Sequence, residues 1–388
     1  MEPLTSPGPT VGVVGGGQLG RMLAEAAGPL GVELVVLDPT PDCPAAPVAR
    51  DQIVADFDDE AAVLELADRA DVLTFEIELA DPELLERARS EADVPVHPSP
   101  ETLRTIQDKL VQKQTLEDEG IPVPEFRAVD DPDDLRAAMD ELGAPVMLKA
   151  REGGYDGRGN LPVETPEAAS EALDEVGGTA MAEAFVDFER ELSVIGVKGT
   201  DAIRTFPAGE NIHEEEILRE TIAPARAAPE TLERAQDVAH DILELLDGRG
   251  VYGIELFEDQ SGKILVNEIA PRPHNSGHWT IEGATASQFE QHIRAVLGWP
   301  LARAESRSPT VMTNLLGDVD SPRPAQLDGV ETILAADGAH LHWYGKREAR
   351  PLRKLGHVTL TELATELDTD DELLERAREL RDATTFRS

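Results

Sequence analysis

The chain has 388 residues, with 77 acidic against 35 basic side chains and a formal net charge of -42. Such acidity argues against nucleic acid and anionic membranes as partners, since both are bound through a basic surface. At 40% hydrophobic residues the chain is not a disordered one, and its length allows two or three domains with separate cores.

No run of about 18 apolar residues occurs, so no membrane span is expected. Only seven of the basic residues are lysine, and acid excess with so little lysine resembles the solvated shell of proteins from salt-loving organisms. The single cysteine, Cys43, cannot form an internal disulfide. Together with a polar start, "MEPLTSPGPT", that lacks a secretory signal pattern, it predicts a cytoplasmic protein.

The first predicted elements are strand, glycine turn, helix and strand in "TVGVVGGGQLGRMLAEAAGPLGVELVVLDP". Gly15, Gly17 and Gly20 fit the G-x-G-x-x-G spacing, and Asp38 follows the second strand. Alone, this pattern points to an NAD-dependent oxidoreductase, although the same turn serves mononucleotides and other substrates. "DVLTFEIE" and "PELLERARS" add a strand and a helix, completing a Rossmann-like, doubly wound α/β domain over residues 1–98. Glu76 and Glu78 read as solvated acids at a strand end.

A second domain is expected over residues 99–304. It opens helix-rich and then reaches "APVMLKAREGGYDGRGNLPV". No G-x-x-x-x-G-K-[ST] motif is present, so the chain is not a P-loop protein. Here Lys149 precedes the glycine loop, on a strand, and the loop folds back as a hairpin flap over phosphates. "TAMAEAFVDFERELSVIGV" predicts strand, linker, strand. The linker backbone suits an adenine edge, with Glu183 accepting from the adenine amine and Glu191 reaching the ribose hydroxyls. "VYGIELFED" and "GKILVNEIAPRPHNSGHW" predict neighbouring strands, each with one acid among apolar residues, Glu255 and Glu268. Adjacent carboxylates are costly without a cation between them, and Mg²⁺ suits oxygen ligands of this kind. Arg272, His274, Asn275, Ser276 and His278 follow, too polar for core, and read as an anion pocket.

From about residue 305 a small strand-rich lobe is expected, ending at 388. Its stretch "AHLHWYGKREARPLRKLGHV" holds Lys346, Arg347, Arg350, Arg353 and Lys354, suited to a substrate phosphate, with Leu341 and Trp343 as core. His340, His342 and His357 lack the spacing or cysteines of a zinc site.

Lysine strand, glycine flap, linker and paired acids in this order resemble the ATP-grasp enzymes, an α/β and α+β fold. Within them the chain is similar to the N5-carboxyaminoimidazole ribonucleotide synthase family. The likeness runs along nearly the whole chain, through "GGGQLGRML", "DKLVQKQ", "GGYDGRGN", "NEIAPRPHNSGHWTIEGA" and "HLHWYGKREARPLRKLGHV". Four of the seven lysines, Lys109, Lys149, Lys346 and Lys354, fall in these motifs. "TFEIELADPELLE" departs from the pattern, which leaves the roles of Glu76 and Glu78 open.

The resemblance implies ATP-dependent carboxylation of 5-aminoimidazole ribonucleotide with bicarbonate through carboxyphosphate. It implies Mg²⁺, with Mn²⁺ as a substitute, and a homodimer. It places ATP on Lys109, Lys149, the flap residues Gly154, Tyr155, Asp156, Gly157, Arg158, Gly159 and Asn160, then Glu183, Ala184, Phe185, Val186, Glu191, His213, Asn267 and Glu268. The metal falls on Glu255 and Glu268. The ribonucleotide falls on Gln18, Tyr155, Asp156, Arg158, Arg272, His274, Asn275, Ser276, Lys346 and Arg353. Of these, Asp156, Arg272, Lys346 and Arg353 are the catalytic candidates, with Asp156 aiming the exocyclic amine. The rivals are a sister ATP-grasp ligase, such as a formate-dependent glycinamide ribonucleotide transformylase, the oxidoreductase, and a non-catalytic nucleotide-binding protein.

Overall fold

The computed structural model describes residues 4–153, 159–365, 367 and 369–387. The expected flap residues Gly154, Tyr155, Asp156, Gly157 and Arg158 lie outside the described residues.

The N-terminal strands are short, almost wholly apolar and buried on both faces, as a parallel sheet covered by helices requires. The sheet runs Asp51–Ile53, Glu33–Leu37, Thr10–Val14, Val72–Phe75, every pair parallel. Helix Gln18–Ala27 starts after Gly17 without a side-chain cap, whereas the next two start at a capping aspartate. Asp59 caps Glu60–Asp68, and Asp81 caps Pro82–Glu91, with proline at the first turn where no N–H is needed.

Two capped helices, Pro100–Gln107 and Lys109–Asp118, lead to a small antiparallel sheet. Its order is Phe126–Val129, Ala180–Ala184, Val146–Ala150, Asn160–Val163. Helices Pro132–Leu142 and Ala169–Val176 close one face over Leu135, Met139, Val146, Leu148 and Leu173.

The linker at 185–187 then carries the chain into a nine-stranded sheet. Its main path is Ile264–Ala270, Gly250–Asp259, Phe188–Lys198, Gly209–Glu214, Ile217–Ala223, Thr310–Leu316, Lys354–Thr361, Ala339–Trp343. Strand Phe188–Lys198 is the long spine, and helix Pro229–Leu245 buries Ala235, Ala239, Ile242 and Leu243 against it. Among the described residues no helix is long and apolar enough to cross a membrane.

The C-terminal segment is strand-rich, as expected. Its strands continue the large sheet, because Ile217–Ala223 pairs directly with Thr310–Leu316. The acidic tail forms helix Asp370–Asp382, whose Leu373, Leu374, Ala377 and Leu380 face that sheet. Burying each leucine contributes roughly 1.5–3 kcal/mol, which outweighs the charge of the outer face. Trp343, however, is not core: it is half-buried and stacks on Phe386 at 6.2 Å, while Val358 and Leu360 fill the interior, with Leu341 packed beside them.

Candidate active site

The site is assembled where helix Lys109–Asp118, the small sheet and the edge of the large sheet meet. Asp108 caps the helix by accepting from the N–H of Leu110 at 3.0 Å and of Val111 at 3.2 Å. Arg151, just past the lysine strand, takes the same carboxylate, so helix start and strand end are tied together. Lys109 then stands at the first helical position, its Nζ 2.8 Å from Glu268 Oε1.

Lys149 is a buried lysine, not a surface one, at 7% exposure. It donates to Glu183 Oε1 at 2.8 Å and to Asn267 Oδ1 at 3.0 Å. The Glu183 carboxylate, expected at an adenine amine, instead lies between two ammoniums, Lys149 and Lys113, each at 2.8 Å. Burial raises its pKa, but the two cations outweigh burial and hold it below the ordinary carboxylate value. Ala184 ends the strand, and Phe185, at 53% exposure, and half-buried Val186 form the linker. Gly159 (φ +84°) is a turn residue just before the return strand Asn160–Val163, whose Asn160 lies directly opposite Lys149.

Glu255 and Glu268 are cross-strand partners in register on Gly250–Asp259 and Ile264–Ala270. Their environments push them apart. Burial raises the Glu255 carboxyl against the pull of His213, and the charge of Glu268 adds to the rise. Enclosure also raises Glu268, but Lys109 more than offsets it and holds the group at about 2. Next to them His213 is bonded to Glu191, whose carboxylate lifts the imidazole above its usual range despite burial. Two hard carboxylates facing each other, one already drawing an ammonium, fit a divalent cation such as Mg²⁺.

One cavity of about 530 Å³ joins these acids to a cationic end. Lys109, His213, Glu255 and Glu268 line it, and so do Gln18, Arg272, His274, Asn275, Lys346 and Arg353. Arg272 is aimed by Glu78, its Nη2 2.7 Å from Oε1. His274 accepts support from Ser276 Oγ at 2.9 Å and lies 3.8 Å from Glu255 Oε1. Gly253 is required here, since a side chain at that position would collide with the His274 ring. Lys346 donates to the carbonyl of Lys354 at 2.8 Å, and Arg353 to that of Glu348 at 2.9 Å.

Several expectations are corrected. Ser276 is fully buried behind His274, so it orients that ring and does not line the cavity. Asn275 lines the cavity, yet its amide is engaged in a reciprocal pair with Asn314, at 3.1 and 2.7 Å. His278 belongs to the core after all: it is fully buried against Phe289, Tyr344 and His357, and burial drives its pKa well down. Glu76 and Glu78 are not solvated strand ends. Glu76 is 8% exposed, and burial raises its carboxyl to about 7.

The glycine turn rules out the dinucleotide reading. The N–H of Gly16 donates to Asp38 Oδ2 at 2.9 Å, and that of Gly17 to Glu76 Oε1 at 2.6 Å. The donors a pyrophosphate would need are held by carboxylates. A Cβ on Gly15 (φ +104°) would lie 2.7 Å from Glu76, so the glycines make room for that acid.

Lys113 and Asp108 escaped the sequence reading. Both lie in "DKLVQKQ", and the i, i+4 spacing of Lys109 and Lys113 places them on one helix face.

A strand lysine before a hairpin, two sheets joined by a linker, and paired acids on sister strands define an ATP-grasp ligase. Family models match in the same order: a ribonucleotide synthetase preATP-grasp domain over 9–107, an ATP-grasp domain over 114–289, and a phosphoribosylaminoimidazole carboxylase C-terminal domain over 310–370. The N5-carboxyaminoimidazole ribonucleotide synthase of Brucella melitensis is 43% identical over 357 residues, covering 91% of this chain and 96% of that relative. The solved synthetase from Thermotoga maritima is 40% identical, with a TM-score of 0.87 and coverage of 98% of this chain and 99% of that one. The Aspergillus clavatus enzyme, solved with ADP and 5-aminoimidazole ribonucleotide, is 36% identical with a TM-score of 0.89, covering 98% and 99%. The chain belongs to the N5-carboxyaminoimidazole ribonucleotide synthase family and is an ATP-dependent ligase.

Proposed function

We propose that this chain uses bicarbonate as the carboxyl donor to 5-aminoimidazole ribonucleotide, with ATP activating it as carboxyphosphate. The observation that carries this reading is the single cavity in which the Glu255–Glu268 pair and Lys109 face Arg272, His274, Lys346 and Arg353. A nucleotide's phosphates and a second phosphorylated substrate both need cations, and the cavity lining supplies several, Lys109, Arg272, Lys346 and Arg353.

Lys109 and Lys149 neutralise ATP phosphate charge, while the linker 184–186 receives adenine and the Glu191–His213 pair the ribose. Glu255 and Glu268 would hold Mg²⁺, which would offset charge on the transferring phosphoryl group. Arg353 and Lys346 hold the ribonucleotide phosphate, and Arg272, braced by Glu78, orients the ring beside the carboxyl donor. Asp156, by family likeness, aims the exocyclic amine at that donor. The flap, by family likeness, keeps water from the mixed anhydride.

The test is phosphate release with ATP, bicarbonate and 5-aminoimidazole ribonucleotide, each omitted in turn. Full release should need all three, with one carboxylated product per phosphate. Equal turnover with formate and glycinamide ribonucleotide would move the chain to the sister ligase.

A further inference from the structure

Lys113 is 1% exposed, one turn beyond Lys109 on the same helix. Its ammonium meets two acceptors, the carbonyl of Val266 at 2.7 Å and Glu183 Oε2 at 2.8 Å. Val266 is on the large sheet, immediately before Asn267 and Glu268, and Glu183 is on the small one. Lys113 therefore spans the two sheets.

The charges around it are uneven. Glu183 is shared by two ammoniums, Lys113 on one oxygen and Lys149 on the other. The group of three carries one net positive charge. Without Lys113, the carboxylate would cancel Lys149 completely. The Lys113 and Glu183 side chains are 2% and 3% exposed, against 9% for Lys149, so Lys149 is the least enclosed of the three, two residues before Arg151, which lines the cavity. A buried charge persists only when paired, which is why Glu183 must be there at all.

We infer that Lys113 is a positioning residue for the nucleotide phosphates: it occupies one oxygen of Glu183, so that Lys149 faces the cleft with its charge uncancelled. The inference rests on the reading of Lys149 as a phosphate-binding lysine. It assigns Lys113 no contact with ATP. The Val266 bond adds a second effect, holding Asn267 and Glu268 at a fixed distance from Lys149.

The experiment compares wild type, Lys113→Met, Lys113→Met with Glu183→Gln, and Lys149→Met. Mg-ADP affinity is measured by titration calorimetry, KM for ATP and for the ribonucleotide by phosphate release, and folding by thermal denaturation. Lys113→Met should weaken Mg-ADP at least tenfold and raise KM for ATP, leaving KM for the ribonucleotide within twofold. The double variant restores the net charge and should regain most of the lost affinity. A mere strut would not be rescued by removing its partner's charge. If Lys113→Met fails to fold, the double variant, which has no unpaired carboxylate, carries the test alone: folded, it should bind Mg-ADP within about threefold of wild type.

A folded Lys113→Met that binds like wild type overturns the inference. So does a folded double variant that does not recover. If Lys149→Met itself binds Mg-ADP normally, the phosphate-site reading fails first and the inference falls with it.

Discussion

Gly17 and Gly153, each in a glycine-rich stretch that follows a buried strand, line the same cavity, and the side chains beside them have opposite charge. Behind Gly15–Gly17 stand Asp38 and Glu76, which take the turn's N–H groups. Before Gly153 stands Lys149, with Lys113 behind it. Glycine spacing alone sets the backbone path, so both turns look fit for phosphate. The charged side chains decide which of them is. A phosphate about 4 Å from a carboxylate meets a repulsion of roughly 4 kcal/mol per charge pair at a near-surface dielectric. The first turn thus refuses what the second attracts.

The largest effect that tests this contrast is at the cationic turn. Lys149→Met should cost roughly 2–5 kcal/mol of Mg-ADP binding, the usual loss on truncating one partner of a buried charge pair. Calorimetric titration measures it, and unchanged affinity would erase the distinction between the turns. The fold should survive, because Lys113 still pairs with Glu183.

At the acidic turn the effect is on stability and its dependence on pH. Glu76 has its carboxyl raised from 4.5 to about 7 by burial, so the folded chain holds this proton more tightly than the unfolded chain. Its stabilising contribution is complete below 4.5 and is lost as pH rises through 7. Glu76→Gln removes the buried charge, and at pH 8 should be more stable than wild type by about 3 kcal/mol. The gap should close toward pH 4.5. Parallel denaturation curves across that range would place Glu76 in solvent.

The third prediction sharpens the division of the cavity. Arg353→Ala should raise KM for the ribonucleotide by an amount equal to roughly 1.5–3 kcal/mol, with KM for ATP little changed. Initial-rate measurements with each substrate varied separate the two. A shift in the ATP constant alone would give the C-terminal cations to the nucleotide.

The smallest effect concerns the acidic excess as a whole. Between 0.1 M and 1 M salt the Debye length falls from about 10 Å to about 3 Å, which screens self-repulsion at a net charge of -42. Thermal stability should rise, by roughly 2–4 °C for each kcal/mol relieved. Equal melting temperatures at both concentrations would show that the acidity is not a salt adaptation.

Much of the fold was legible in the sequence. Apolar strands next to glycine turns, the hairpin around "GGYDGRGN" and the sister strands of Glu255 and Glu268 all announced themselves by local pattern. The C-terminal helix did not, because its leucines are spaced through "DELLERAREL", where charge dominates composition. His278 misled for the opposite reason. It stands in a polar run, yet Phe289 and Tyr344, which make it core, come from distant segments.

By itself, then, the sequence determined which chemistry was on offer: lysines placed in motifs within an acidic chain, and acids set among apolar strand residues. Only the tertiary structure decided which groups act on one another. Glu183 became a bridge between two lysines, Asp38 and Glu76 closed the first glycine turn, and Glu78 came to brace Arg272, 194 residues away. The physical reason is that helix and strand periodicity is local and can be read along the chain. A charge's partner, its burial and therefore its function depend on what the other segments bring within a few ångströms of it.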